Sequence, residues 1–243
     1  MTRDDLDPAV TAILSDHWGD RRAWFEFTLG SAACHSIVAD LDGEVVGTGV
    51  ATVNGLVAWI GTIWVAHDHR RHGIGAALTD AVTDIAFAEG AETLLLVATD
   101  RGRPLYERSG FEVQTWYRTF EAPESDEAYA EGRLAPPSGA TIRPFRPEDI
   151  EPMAALDRVA TGEDRRRILD ELASPTGTRV LETGDGDIRG FVVRGPWGGG
   201  AIRCCTTSTS ARSRTRTATA SATCAGCSRG STTWRGWAST RSG

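Results

Sequence analysis

One stretch of the chain, residues 59–78, limits the fold more than any other. Residues 59–65 are apolar and rich in β-branched side chains, which is typical of a buried strand. A basic turn with glycines follows, and Gly90 stands where a left-handed residue would end the next helix. The apolar residues between turn and Gly90 recur at helical spacing: Ile74, Ala77, Leu78, Ala81, Val82 and Ile85. The pattern predicts a strand, a turn and an amphipathic helix in direct succession.

The turn at residues 70–76, called the glycine turn below, has the chemistry of an anion site. The first turn of a helix carries unpaired N–H groups and the positive end of the helix dipole. Gly73 and Gly75 have no side chains, so a phosphate can approach these N–H groups closely. The motif is neither the dinucleotide pattern G-x-G-x-x-G nor a P-loop, because position 78 is Leu and no Gly-Lys-Ser/Thr occurs.

The spacing Arg-x-x-Gly-x-Gly-x-x-Leu at 70–78 resembles the acetyl-coenzyme A loop of the GNAT N-acetyltransferase superfamily. A second stretch at 104–111, Pro-Leu-Tyr-Glu-Arg-Ser-Gly-Phe, is similar to the family's helix-to-strand corner, and a strand candidate at 93–98 lies between the two. The resemblance implies a mixed α/β (α+β) fold with a central mixed sheet flanked by helices. The alternative is an unrelated α/β domain with a glycine turn.

The resemblance also implies a reaction and a set of residues. An acetyl group would pass from acetyl-coenzyme A, as cosubstrate, to an amine by direct attack in a ternary complex. The family's general acid for the departing thiolate falls on Tyr106, which could instead be a packed tyrosine at a helix end. The strand edge would pair with the pantetheine arm and polarise the thioester carbonyl, and the glycine turn would hold the pyrophosphate. These coenzyme-binding residues are Ile63, Trp64, Val65, Arg70, Arg71, His72, Gly73, Ile74, Gly75 and Ala76.

The general base is left open. Many family members place a Glu on the strand ahead of the loop, where this strand offers Thr62. His67, Asp68 and Glu26 are weak candidates, and a water relay is an equal alternative. Metal binding is another interpretation of the histidines around the turn, but a charge role beside a phosphate is sufficient, and we expect no metal.

Other elements follow from periodicity and turn signals. Asp42-Gly43 and Asn54-Gly55 predict two tight hairpin turns. The predicted elements of the first half are helices at 7–15 and 21–27, strands at 35–39, 44–53 and 59–65, and a closing strand at 111–120. The acceptor pocket of such a fold would form from residues 18–27 and 116–120.

Residues 146–152, Arg-Pro-Glu-Asp-Ile-Glu-Pro, echo residues 2–8, Thr-Arg-Asp-Asp-Leu-Asp-Pro. An internal repeat of this kind indicates two copies of one fold in tandem. The second copy begins with a predicted strand at 141–144, and nothing before Met1 matches it, so we expect the first copy to lack that strand. No counterpart of residues 59–78 is evident in the second copy.

The predicted division of the chain follows from these patterns. Residues 1–120 form the acetyltransferase domain, and residues 121–140, with charge, proline and small residues, form a linker. Residues 141–202 form a partial second domain with helices at 153–160 and 164–173 and a hairpin at 178–194. Residues 203–243 form a low-complexity tail.

The tail contains no Leu, Ile, Val, Phe or Met, so it offers little to bury. Its cysteines permit a zinc site, and its arginines permit a nucleic-acid tail. Our preferred hypothesis is a shifted reading frame of a GC-rich gene that interrupts the second domain.

Charge separates the tail from the rest of the chain. Of the 26 basic residues, all Arg, seven lie beyond position 202, where there is no Asp or Glu. The first 202 residues therefore carry 19 Arg against 33 acidic residues, a net charge of −14. Such a body repels nucleic acid and favours cationic amines, although it is equally consistent with a solvated acidic surface.

The N-terminus is polar, no stretch approaches the length of a membrane span, and only Cys34 lies outside the tail. We therefore expect a cytoplasmic protein without a membrane or nucleic-acid partner. Its acceptor would be a small-molecule or peptide amine, and a homodimer is compatible with the resemblance. The main alternative is a non-catalytic module that binds acyl-coenzyme A as a sensor or interaction protein; a nucleic-acid-associated protein that uses the tail is the third.

Overall fold

The computed structural model describes residues 1–116 and 136–195 in full, together with the backbone of the strands at 201–205 and 222–224. Residues 1–116 are called the first unit, and residues from 136 to 205 the second unit. Each unit contains one four-stranded sheet. Within the described part of the chain, every helix is too short or too polar to cross a bilayer.

The first unit has the predicted mixed α/β architecture. Its sheet has the order β1-β2-β3-β4, in which β1, β2 and β3 are antiparallel and β4 runs parallel to β3. The elements are α1 (Leu6–Ser15), α2 (Arg22–Gly30), β1 (Cys34–Leu41), β2 (Glu44–Asn54), β3 (Val57–Val65), α3 (Ile74–Ala88), β4 (Thr93–Leu95), α4 (Arg103–Arg108) and β5 (Phe111–Val113).

Helices cover both faces of this sheet. Side chains alternate along a strand, so neighbours face opposite layers. Val50 packs in a cluster with Ile13 of α1 and Phe25 of α2, whereas Ala51 packs with Val82 of α3. The predicted helix after the glycine turn forms and buries Ile74, Leu78 and Val82 of the predicted stripe, whereas Ala77, Ala81 and Ile85 are half-buried. Gly90 follows its end with a φ of +95°.

The two predicted hairpin turns differ in outcome. Leu41 pairs with Glu44, and the intervening Asp42 and Gly43 both have positive φ, which confirms the first turn. In the second hairpin Asn54 is still paired, with Val57, so the loop consists of Gly55 and Leu56, one residue later than predicted.

The second unit repeats the element order of the first. Its elements are β6 (Ala140–Pro144), α5 (Ile150–Thr161), α6 (Arg166–Leu172), β7 (Thr178–Thr183), β8 (Ile188–Arg194) and β9 (Ala201–Cys205), with sheet order β6-β7-β8-β9. From α5 onward, each element begins 144 positions after its counterpart: Leu6 and Ile150, Arg22 and Arg166, Cys34 and Thr178, Glu44 and Ile188, Val57 and Ala201.

Several predicted bounds were wrong. The strand predicted at 93–98 ends at Leu95, and β5 covers only the start of the closing strand predicted at 111–120, of which residues 117–120 lie outside the described part. The predicted absence of a counterpart to the strand at 59–65 is corrected by β9, which pairs with β8 and includes the first residues of the tail. A further tail segment, β10 (Ala222–Cys224), pairs with β5. Both tail strands are rich in small residues, so no apolar pattern marks them in the sequence.

Candidate active site

The glycine turn lies at the N-terminus of α3, as predicted. Gly73 precedes the helix with a φ of +85°, and Arg71 is also left-handed, with a φ of +69°. Ile74 is only 8% exposed and packs with Val46 and Leu78, which anchors the first turn of the helix to the sheet. Arg71, His72 and Gly73 are exposed, so the open N-terminus of a 15-residue helix is flanked by positive charge.

The Arg70 side chain is bound to other residues of the first unit, and its predicted role in coenzyme binding stays a prediction. Its Nε donates to the carbonyl oxygen of Val65 at 2.9 Å, and its Nη2 pairs with Asp16. The same Asp16 oxygen accepts from the indole Nε1 of Trp64 at 2.8 Å. This network ties the end of α1 to the end of β3 and braces the start of the glycine turn. Sequence reasoning missed Asp16, because an acidic residue at a helix end is unremarkable by itself.

The strand edge predicted to receive the pantetheine arm, at residues 63–65, lies beyond the pairing of β3 with β4, and its role stays a prediction. The parallel pairing of β3 with β4 covers only Val57–Trp59 with Thr93–Leu95, and β3 continues six residues further, to Val65. The register between β2 and β3 shifts at Thr62, which has a φ of +53°. A positive φ in a β-branched residue is strained, and such strain clusters at functional sites.

Two hydrogen bonds hold Thr62 in this bulge. The Thr48 hydroxyl donates to the carbonyl oxygen of Thr62 at 2.9 Å, and the Trp24 indole donates to the Thr62 hydroxyl at 3.2 Å. The bulge therefore connects the sheet to α2, the element expected to border the acceptor pocket. A sequence pattern does not reveal a bulge, because its alternation looks like that of a regular strand.

Tyr106 lies on α4, which packs beside the glycine turn. A β-carbon placed on Gly75 would lie 3.4 Å from Leu105 Cδ2 and 3.7 Å from Val65 Cγ2, so the start of α3, the end of β3 and α4 meet at one point. The Tyr106 ring packs edge-on against Phe111, with 6.1 Å between centroids. Burial raises the pKa of Tyr106 to about 12, which keeps its hydroxyl protonated at neutral pH.

The weak base candidates are exposed. His67 Nδ1 lies 3.0 Å from Asp68 Oδ1, and their side chains are 78% and 93% exposed. The hydrogen bond from His67 lowers the pKa of Asp68. Glu26 lies on the exposed side of α2, 4.0 Å from Arg22. In residues 1–116 and 136–195 no three His, Cys, Asp or Glu side chains are grouped as metal ligands would be.

Comparisons with known proteins agree with this geometry. Residues 2–111 match the model of the Acetyltransferase (GNAT) family. The "Uncharacterized N-acetyltransferase YitH" of Bacillus subtilis (strain 168) is 28% identical over 138 residues, which are 56% of this chain and 46% of that protein. The chain thus spans about half the length of this relative.

Two solved structures share the fold. A "Putative Acetyltransferase" from Pyrococcus horikoshii superposes with a TM-score of 0.59 and 25% identity, over 79% of this chain and 65% of that one. The glucosamine N-acetyltransferase region of a fungal β-N-acetylglucosaminidase superposes with a TM-score of 0.53 and 14% identity, over 78% of this chain and 26% of that one. The match to the GNAT acetyltransferase family covers residues 2–111, which include the sheet and the glycine turn of the first unit.

Proposed function

We propose that the first unit is an N-acetyltransferase that moves an acetyl group from acetyl-coenzyme A to an amine. The observation that carries the proposal is the meeting of three elements at Gly75: the open N-terminus of α3, the β3 edge beyond its pairing with β4, and the helix that bears Tyr106. A diphosphate at the helix N-terminus and an extended arm along β3 would bring the thioester toward the Thr62 bulge.

The pyrophosphate would be held by the N–H groups of the glycine turn, with Arg71 and His72 supplying nearby positive charge. Arg70 would act by bracing the turn through Val65 and Asp16. The edge at Ile63–Val65 would pair with the pantetheine arm, and an N–H of this edge would polarise the thioester carbonyl.

In the transfer itself, the lone pair of the amine attacks the thioester carbonyl carbon. The C–N bond forms, the C–S bond breaks, and the thiolate that leaves takes a proton from Tyr106. The pKa of a free thiol, about 8.5, lies below that of Tyr106, so this proton transfer is uphill, and the tyrosinate regains its proton from solvent after the thiol leaves. The proton lost by the amine passes to solvent or to a base of the acceptor pocket.

The acceptor is proposed to be a cationic small molecule or peptide amine. The net charge of −14 over the first 202 residues would raise the local concentration of cations. This argument defines a class of acceptor and leaves its structure open.

The second unit is proposed to be a partial second copy of the same fold. The shared element starts support this, and so does one hydrogen bond: the peptide N–H of Thr2 donates to Asp5 Oδ2, and that of Arg146 donates to Asp149 Oδ2, both at 2.7 Å. The superposition on the Pyrococcus protein covers 79% of the chain, which is more than residues 1–116 can supply.

The test is the variant Tyr106→Phe, measured by turnover with a panel of amines and by a thermal-shift titration with acetyl-coenzyme A. Loss of a general acid should lower kcat by roughly 10²–10⁴-fold. Binding should persist, because the glycine turn and the β3 edge proposed to hold the coenzyme are unchanged. Acetyl-coenzyme A at about a hundred times its dissociation constant should then add roughly 2.7 kcal/mol of stability to either protein. Unchanged turnover would contradict the role of Tyr106. Saturable binding without turnover on any amine would favour the non-catalytic module, and a wild-type protein without any shift would overturn the proposal.

A further inference from the structure

The second unit contacts the first at the end of the β2–β3 hairpin. Glu163, in the loop between α5 and α6, is only 7% exposed and lies against the first unit. Its Oε2 accepts from the Asn54 amide at 2.8 Å, and the Trp59 indole N–H lies 3.1 Å from both carboxylate oxygens. A buried carboxylate is stabilised only when it is hydrogen-bonded in this way, so the contact is specific.

The backbone of the same loop fits the hairpin closely. The N–H of Asp164 donates to the carbonyl oxygen of Asn54 at 3.3 Å. Gly55 has a φ of +68°, and a β-carbon on it would lie 3.0 Å from Asp164 Cβ. A side chain at position 55 would therefore be strained by the backbone and would push the second unit away.

This contact lies where β3 and β4 are joined. The carbonyl oxygen of Leu56 accepts from the N–H groups of Glu92 at 2.8 Å and Thr93 at 3.0 Å, at the start of β4. Trp59, which Glu163 holds, forms the last pair between the two strands, with Leu95. The partners of Glu163 therefore bracket the paired stretch from both ends. Beyond it, β3 stays paired with β2 but no longer with β4, and it continues toward the bulge and the glycine turn.

We propose that Glu163 is a positioning residue. Through it, the second unit fixes the opening between β3 and β4, which is the separation of the two strands after Trp59 and Leu95, and thereby the position of the coenzyme site. The part of this inference that concerns the coenzyme rests on the proposed function. The side-chain hydrogen bonds of Glu163 go to Asn54 and Trp59, so it would act on the coenzyme site through β3. Without the carboxylate, the buried Asn54 amide and the Trp59 indole lose their acceptor, and the paired end of the strands is free to shift.

The chain offers a matched control. Glu171 of α6 also reaches from the second unit to the first, where its Oε1 accepts from the N–H of Ala32 at 3.0 Å. Ala32 lies between α2 and β1, away from β3. Removing Glu171 thus weakens the contact between units without touching the strands that form the opening.

The experiment compares Glu163→Ala, Glu163→Gln and Glu171→Ala in the full chain. Acetyl-coenzyme A affinity is measured by calorimetry, and hydrogen exchange is measured over 57–59 and 93–95. Glu163→Ala should weaken binding about tenfold and speed exchange in both segments. Glu163→Gln keeps an acceptor oxygen and should restore most of both. Glu171→Ala should leave affinity within about twofold and exchange unchanged.

Equal effects of Glu163→Ala and Glu171→Ala, or no effect of Glu163→Ala on exchange, would overturn the inference. If the wild-type protein does not bind acetyl-coenzyme A, the proposed function fails, and the exchange comparison alone decides whether Glu163 holds the paired strands. If Glu163→Ala does not fold, Trp59→Phe removes only the indole donor and is judged by the same two measurements.

Discussion

The two units can be compared position by position, because their elements begin 144 residues apart. The buried residues correspond as well: Ala9 and Met153, Val10 and Ala154, Phe25 and Leu169, and Thr28 and Leu172. None of these four pairs is identical. Burial at a given place in the fold is thus shared between the units, whereas the side chain that fills the place differs.

The clearest difference lies at one buried helix position. In α1 it is Ile13, and in α5 it is Asp157, and both are 0% exposed. Asp157 is held by Arg165, with contacts of 2.5 and 2.8 Å, and Arg165 is the counterpart of Arg21. An ion pair in one unit therefore occupies the place of an apolar side chain in the other. The fold buries the side chain at this position, and either an apolar residue or an ion-paired carboxylate can occupy it.

A second difference concerns the site. In the first unit β3 leads to the glycine turn, with Gly73 and Gly75. The positions 144 residues later hold Thr217 and Thr219, which lie outside the described part of the chain. The Gly-x-Gly spacing is therefore not repeated in the sequence at this offset, and we expect coenzyme binding in the first unit only.

The largest effect on stability is expected at the buried ion pair. Asp157→Ala leaves the Arg165 guanidinium, 21% exposed, without its carboxylate, which should cost about 3–5 kcal/mol in the free energy of unfolding. The double variant Asp157→Ile with Arg165→Met places an isoleucine where α1 has Ile13 and removes the charge that would lose its carboxylate, so it should come within about 1 kcal/mol of the wild-type protein. Denaturant titration measures both. A cost below about 1 kcal/mol for Asp157→Ala would show that the ion pair contributes little to stability.

A smaller effect, on coenzyme affinity, is expected at Gly73, the glycine of the first unit whose place in the sequence is taken by Thr217 in the second. Gly73→Ala places a β-carbon on a left-handed residue with nothing within 4 Å, so only the backbone conformation is disturbed. The turn should relax and tilt its N–H groups, weakening acetyl-coenzyme A binding by roughly tenfold. Gly90→Ala imposes the same strain at the other end of α3, also with nothing within 4 Å. Calorimetry should show its affinity unchanged, and equal losses in the two variants would remove the turn from the site.

The smallest effect is a pH dependence in the second unit. Hydrogen bonding from Arg143 lowers the pKa of Asp149, which is 2% exposed. Because the folded pKa lies below the unfolded value of about 3.9, the stabilisation by Asp149 is present above that pH and is lost as the pH falls through the folded pKa. Thermal melts should therefore show a gap between wild type and Asp149→Asn that is constant above about pH 5 and narrows below about pH 4.

The counterpart variant Asp5→Asn provides the reference for that experiment. Asp5 accepts from the N–H and the hydroxyl of Thr2 in a more exposed setting, so its loss should cost about 1 kcal/mol or less at neutral pH. A gap for Asp149→Asn that does not narrow in acid would contradict the assignment of its stabilisation to the Arg143 pair.

Much of the first unit was predictable because its signals are local. The helix after the glycine turn, the hairpin at Asp42-Gly43 and the stop at Gly90 each depend on residues that lie close in the chain. The coenzyme-binding roles of the site residues stay predictions. The exposed positions of Arg71 and His72 and the burial of Ile74 are consistent with the predicted turn, whereas Arg70 is bound to Val65 and Asp16. Asp16 is distant in sequence, so no local pattern indicates this pair.

The sequence by itself determined most helices and strands of the first unit, the glycine turn after β3, and the return of the N-terminal pattern near residue 146, because spacing and turn chemistry act over a few residues. Only the tertiary structure decided that β3 carries a bulge at Thr62, that Asp16 captures Arg70, and that Glu163 of the second unit holds Asn54 and Trp59 of the first. These contacts join residues 54 to 109 positions apart, or depend on strand register. Packing of the whole chain selects such contacts, and each is invisible in its local sequence.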